Sequence, residues 1–285
     1  MSQTAAEPKN PTPKAGRNLP VAIAAGVILG ALVLLALLFV KALFVLLAAV
    51  VLLIAVGEMR GAFANRDIKL SVIPLYIGVV AIAGLSFWHG EVAMLFGFAG
   101  LVFLILIWRM FEGTENFVRD STASVFVAAY LPLMLGFALL SLRPEDGPQR
   151  VIVFIALTVG SDIGGYAAGV LFGKHPMAPS ISPKKSWEGF AGSLIFQMAI
   201  GIWLFIWLLD STWWAGLIFG IIMTFTATLG DFIESSLKRD LGIKDMGSIL
   251  PGHGGFMDRL DSLIPNAFVS WALFAAFLGT GSLAF

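Results

Sequence analysis

The 285-residue chain contains no cysteine. That absence removes disulfides, thiolate metal sites and cysteine nucleophiles together. Charge is scarce as well: Asp, Glu, Lys and Arg make up 13% of the residues, against 58% hydrophobic, where soluble domains carry about 25% charged residues. A chain of this composition is an integral membrane protein. Its 18 Lys and Arg balance 18 Asp and Glu, and no basic cluster stands outside the loops, so the basic face that nucleic-acid binding needs is missing. The first residues lack the short apolar core and cleavage site of a signal peptide. No internal repeat of the kind that marks many transporters is visible.

What the chain has in abundance is apolar runs near the length of about twenty residues that crosses a bilayer. They recur at about 20–40, 42–57, 71–88, 91–108, 121–142, 151–172, 188–210, 213–235 and 262–284. The expected fold is therefore all-α and polytopic, with about nine transmembrane helices. Residues 1–18, with Pro8, Pro11 and Pro13 among polar residues, read as a disordered cytosolic tail, and 19–285 as one membrane-embedded catalytic domain. Lys and Arg set the orientation. Lys9, Lys14, Arg17, Arg60, Arg66, Lys69, Arg109, Arg119, Lys174, Lys184, Lys185, Lys238, Arg239, Lys244 and Arg259 fall in the tail and the even-numbered connections, against Lys41, Arg143 and Arg150 in the odd ones. The majority side is cytosolic, which puts the N-terminus inside.

The stretch Ser235–Asp261, SSLKRDLGIKDMGSILPGHGGFMDRLD, gathers cations, carboxylates and a glycine-flanked His253 between two apolar runs. Asp231 and Glu234 precede it three residues apart, on one helix face; Asp258 and Asp261 repeat the spacing. Paired carboxylates at the mouth of a membrane helix suit a hard cation such as Mg²⁺, which takes a few carboxylate oxygens and leaves positions for water and phosphate. Asp231 and Asp258, each the first acid of its motif and from opposite ends of the loop, are the expected metal ligands. Lys238, Arg239, Lys244 and Arg259 are placed to hold phosphate oxygens. The competing reading is a set of membrane-edge acids paired with local cations. Asp162, deep in the sixth run, is costly at that depth and normally faces a wet cavity or a partner; Gly164, Gly165 and Gly169 beside it suit close helix packing. Glu58, Arg60, Glu112 and Glu115 read as interfacial charges.

The pattern Ser235-x-Leu237-Lys238-Arg239, then Lys244-Asp245, then Pro251-x-His253-Gly254-Gly255-x-x-Asp258-Arg259-x-Asp261 resembles the signature of phosphatidate cytidylyltransferases, the CDP-diacylglycerol synthases of membranes. Two upstream segments are similar to family motifs as well. SDIGGYAAG at 161–169 carries Asp162 and Tyr166, with Ile163 and Gly165 in place of the family's Thr and Ala. SPKKSWEG at 182–189 departs only at Ser186, which keeps a hydroxyl. The resemblance covers roughly residues 20–285. It implies that CTP and phosphatidic acid give CDP-diacylglycerol and pyrophosphate, with Mg²⁺ and room for a second cation. It also implies a catalytic set of Asp231, Asp258, Asp261, Lys238, Arg239 and His253, with Asp162, Tyr166, Ser182, Lys184, Lys185, Lys244 and Arg259 binding substrate. A phosphate monoester is already largely ionised at neutral pH (pKa about 6), so His253 is expected to orient pyrophosphate or the loop rather than to act as a base. The location expected is the plasma membrane, with the site facing the cytosol; a homodimer is expected on general prevalence. The rival functions are a CTP-dependent lipid-alcohol kinase and, in another class, an ion-coupled transporter using Asp162 and Asp231.

Overall fold

A computed structural model describes residues 30–247, 249 and 254–279. The proposed tail, the first half of the first apolar run and His253 lie outside the described residues. Within them, eight helices are long and apolar enough to cross a membrane, one for each of the second to ninth runs. Of the first run, a ten-residue helix α1, Gly30–Phe39, is described.

The helices follow as α2 (Lys41–Ala64), α3 (Val72–Gly84), α4 (Glu91–Phe111), α5 (Phe117–Ala128), α6 (Met134–Ser141), α7 (Gly147–Phe172), α8 (Trp187–Trp207), α9 (Trp213–Leu241), α10 (Met257–Leu260) and α11 (Leu263–Leu278). A π-helical turn, Leu85–His89, ends α3, and another, Ala129–Leu133, joins α5 to α6 across Pro132. Proline has no N–H to donate to the preceding turn, and the wider π geometry absorbs that loss.

The connections sort cleanly to two ends. At one end Lys41 Nζ donates to the carbonyls of Arg143 and Pro144, Arg143 faces Glu91 at 3.9 Å, and buried Arg150 donates to Asp146 (2.9 Å) and to the Gly279 carbonyl (2.8 Å). These are the three cations of the odd connections. At the other end Arg119 donates to the Asp67 carbonyl and Lys185 to Asp231. The alternation expected from the cation count is thus built into the packing.

One insert is not helical. Residues 176–178 (β1) and 182–186 (β2) pair antiparallel, Pro176 opposite Ser186 and Ala178 opposite Ser182. This hairpin is strapped to the start of α8. Ser186 caps the helix by accepting the Gly189 N–H at 3.1 Å, and Glu188 accepts the N–H groups of Lys174 and His175 and bonds the His175 ring at 2.6 Å.

Helices α7, α8 and α9 approach by backbone rather than by side chain. A Cβ on Gly216 would strike the Gly201 carbonyl, one on Gly220 the Gln197 carbonyl, and one on Gly192 the Gly164 carbonyl. Between α7, α8, α9 and α11 the interior is layered along the bundle axis. Beneath the carboxylates at the even end, the Ser193 hydroxyl donates to the Ser161 carbonyl (2.6 Å). Next, Thr226 donates to Asn266, whose amide donates to Thr158 at 3.1 Å. Below these Phe205, Phe219 and Phe274 close the interior, Phe219 with ring centroids 5.1 and 4.8 Å from the other two and each ring at most 1% exposed.

Candidate active site

The even end of α9 carries the acids. Its helical period places Asp231, Glu234 and Lys238 on one side, and the side faces the stretch 254–262. Gly230 allows this approach, because a Cβ there would meet the Asp261 carbonyl and the Pro265 ring. Lys238 is the hub: its ammonium donates to Glu234 Oε2 at 3.0 Å and to Asp258 Oδ1 at 2.9 Å. Asp258, 6% exposed, also accepts the Met246 N–H (3.0 Å) and the Gly255 N–H (2.8 Å) on Oδ2. It therefore ties the two arms of the loop to each other and to α9. Asp261 accepts the N–H of Ser262 at 2.8 Å.

The second polar insert reaches the same place. On β2, whose register with β1 shifts between the two paired positions, Lys185 is turned inward and Lys184 outward. Lys185 pairs with Asp231, its ammonium 5.1 Å from the centroid of the Phe232 ring; Lys184 is exposed. The two lysines, adjacent in sequence, do not meet a common partner. Ser182 is half-buried at the start of β2, opposite Ala178. Asp162 feels the charges of Asp261, Lys185 and Arg259, and Asp231 those of Asp261, Lys185 and Asp162. Asp261 thus stands between the acids of α7 and α9. Tyr166, one turn beyond Asp162, is 74% exposed on α7, and Arg239, Lys244 and Arg259 are exposed around the loop.

Two groups stand out that the sequence pattern did not assign. Glu58, read from its place near the end of an apolar run as an interfacial charge, is instead 7% exposed and accepts the N–H groups of Phe256 (3.0 Å) and Met257 (2.8 Å). The rule that singled out Asp162, an acid inside an apolar helix, would have found it. Tyr130, on the π-helical turn between α5 and α6, has a buried hydroxyl without a partner among the described residues and lies within electrostatic reach of Glu234, Asp261 and Asp231.

Asp162, Asp231, Glu234, Asp258 and Asp261 outnumber Lys185, Lys238 and Arg259 in this cluster, and Glu234 Oε1 is buried with no donor among the described residues. Such a cluster fits a divalent cation. No three Asp, Glu or His side chains among the described residues form a ready cage, so a cation here would rest on one or two carboxylates and complete its shell with water and phosphate. Asp231 fits this role with a single ammonium partner. Asp258 would have to share oxygens already accepting N–H groups and the Lys238 ammonium.

The fold and the cluster are those of a polytopic helical membrane protein that collects acids and ammonium groups at one end of its bundle, an arrangement suited to phosphate chemistry. The chain belongs to the Cytidylyltransferase family, whose profile matches residues 20–277. It is 43% identical over 278 residues to a phosphatidate cytidylyltransferase of Mycobacterium leprae (strain TN), covering 92% of this chain and 89% of that protein. It is 42% identical over 278 residues to one of Mycobacterium tuberculosis (strain ATCC 25618 / H37Rv), covering 93% and 85%. A phosphatidate cytidylyltransferase of Staphylococcus saprophyticus is 34% identical over 163 residues, 57% of this chain and 62% of that protein.

Proposed function

We propose that the protein transfers the cytidylyl group of CTP to phosphatidic acid, giving CDP-diacylglycerol and pyrophosphate. The observation that supports this most is the joining of Lys185 on the hairpin to Asp231 on α9, 46 residues further on, in a chain related to phosphatidate cytidylyltransferases over nearly its whole length. A phosphate oxygen of phosphatidic acid bonds to the α-phosphorus of CTP. The bond from that phosphorus to the oxygen bridging to the β-phosphate breaks, and pyrophosphate leaves with that oxygen. The nucleophile is already an anion, so the residues need only position it and offset charge. Lys185 and Lys238, held by Asp231 and by Glu234 with Asp258, present ammonium groups at fixed places for the phosphates. Arg239, Lys244 and Arg259 line the more open rim. Asp231 and Asp258 would hold Mg²⁺, with Asp261 and Asp162 adding negative charge around it. Bound there, the cation would neutralise phosphate oxygens and draw charge from the α-phosphorus.

The cation bias supports a site at the cytosolic face of the plasma membrane, where CTP is available, and a homodimer is our expectation from the prevalence of twofold assemblies. The test uses CTP labelled at either phosphorus, phosphatidic acid and the purified full chain. Label should enter the lipid from the α-position and not from the γ-position. Transfer from the γ-position alone would mean a kinase, and transfer from neither would overturn the reading.

A further inference from the structure

The Glu58 carboxylate lies in the first transmembrane helix that is fully described, about two hundred residues before the loop it touches. Its two oxygens are divided between consecutive amides: Oε1 accepts Phe256 N–H and Oε2 accepts Met257 N–H. Those are the residue before α10 and its first residue, and amides at a helix start have no partner within the helix. The side chain of Phe256 supplies no cap. The loop is shaped around this one carboxylate. A Cβ on Gly255 would lie 2.5–2.7 Å from three Glu58 carboxyl atoms, and a Cβ on Gly247, on the other arm, would also strike it. Both arms therefore pass close to Glu58 before Asp258 joins them through Met246 and Gly255.

We infer that Glu58 is a positioning residue: it fixes the turn at 255–257 and so places Asp258 and, through Asp258, the Lys238 ammonium. The inference rests on the cytidylyl-transfer reading for what the placed groups do, but not for the clamp itself. Charge-assisted bonds from buried N–H groups to a carboxylate are among the stronger ones in proteins. An amide in place of the carboxylate sets an NH₂ against one of the two donors. Loss of the clamp then loosens the placement of Asp258 without removing any group that meets substrate.

The test compares Glu58→Gln and Glu58→Asp in the purified full chain, measuring kcat, KM for CTP and the Mg²⁺ concentration for half-maximal rate. Rates are taken per folded molecule, counted from the monodisperse size-exclusion peak. Expected are a kcat lowered about 10- to 100-fold in Glu58→Gln, a raised Mg²⁺ midpoint, a smaller change in KM for CTP and partial recovery in Glu58→Asp. Wild-type kcat and midpoint per folded molecule in Glu58→Gln would overturn the inference, including the case in which the yield of folded protein alone drops. Should that variant give no folded protein, amide exchange of the wild type decides: slow exchange at Phe256 and Met257 supports the clamp, and exchange at the rate of an open loop overturns it. A wild type that makes no CDP-diacylglycerol removes the activity reading, and amide exchange then judges the clamp separately.

Discussion

The two halves of the bundle are held together by different means. In α2 to α6 the glycines meet flexible side chains: a Cβ on Gly78 would press on Leu101, one on Gly97 on Leu85 and one on Gly136 on Met94. In α7 to α9 a Cβ on Gly189, Gly201, Gly216 or Gly220 would meet first a carbonyl oxygen of the neighbouring helix. The first half is packed as an apolar core, in which volume is adjustable. The second is packed backbone to backbone, as membrane helices with small residues at their contacts are. That packing leaves polar side chains on α7 and α9 free of the helix contacts, and Asp162, Asp231, Glu234 and Lys238 are drawn from those positions. The half that carries the chemistry is the half with the least slack.

The sharpest way to break this contrast is Asp231→Asn. The amide keeps the size but gives up a charge that a cation needs, so activity should fall at least about 100-fold, a barrier rise of about 2.7 kcal/mol, while the protein still inserts. The Mg²⁺ concentration for half-maximal rate should rise with it. If Asp231 merely paired with Lys185, in a partly buried pair, the change would strand the ammonium and cost stability without moving the Mg²⁺ titration, so an unmoved titration in the folded variant would sink the ligand assignment. On the other side of the pair, Lys185→Arg should retain more activity than Lys185→Gln; equal losses would point to shape rather than charge.

A milder test addresses the packing. Gly216→Ala should lower thermal stability by about 1–3 kcal/mol, as overpacking does, because the Gly201 carbonyl has nowhere to go. Gly97→Ala should change it by less than about 1 kcal/mol, since the Leu85 side chain can turn aside and alanine favours the helix. Equal shifts in a detergent melting series would erase the distinction between the halves. The smallest effect is expected from removing residues 1–18, which precede the family match at 20–277: turnover should stay within about tenfold of the full chain, and a greater loss would bring the tail into the mechanism.

How much of this was legible in the sequence depends on the range of the interaction. Spans are local, so the second to ninth apolar runs were found as runs, although where the π turn at Ala129–Leu133 falls follows from packing around Pro132 that no run length encodes. The Asp231 and Glu234 pairing was legible because three residues make most of one helical turn. The separation of Lys184 from Lys185 was not, because it depends on how an irregular hairpin packs against α9, which two adjacent lysines in sequence do not encode. Glu58 was misread for another reason. Its partners are backbone N–H groups 198 and 199 residues away, and a backbone donor leaves no trace in residue identity. The signals that were present are its place inside an apolar helix and the glycines at 247 and 255.

The aromatic closure beneath the polar layers bears on something other than catalysis. A row of carboxylates and hydroxyls running into a membrane helix bundle is also the beginning of a conduction path. Among the described residues the polar layers that hold Ser193 and Thr158 give way to Phe205, Phe219 and Phe274, and at the far end Lys41 and Arg150 bond to carbonyls. Water and protons admitted with a charged nucleotide meet rings that offer them no hydrogen bond. An apolar layer thus separates the polar cluster from the opposite end of the bundle, an arrangement that spares the ion gradient across the bilayer while charged groups are handled at one face.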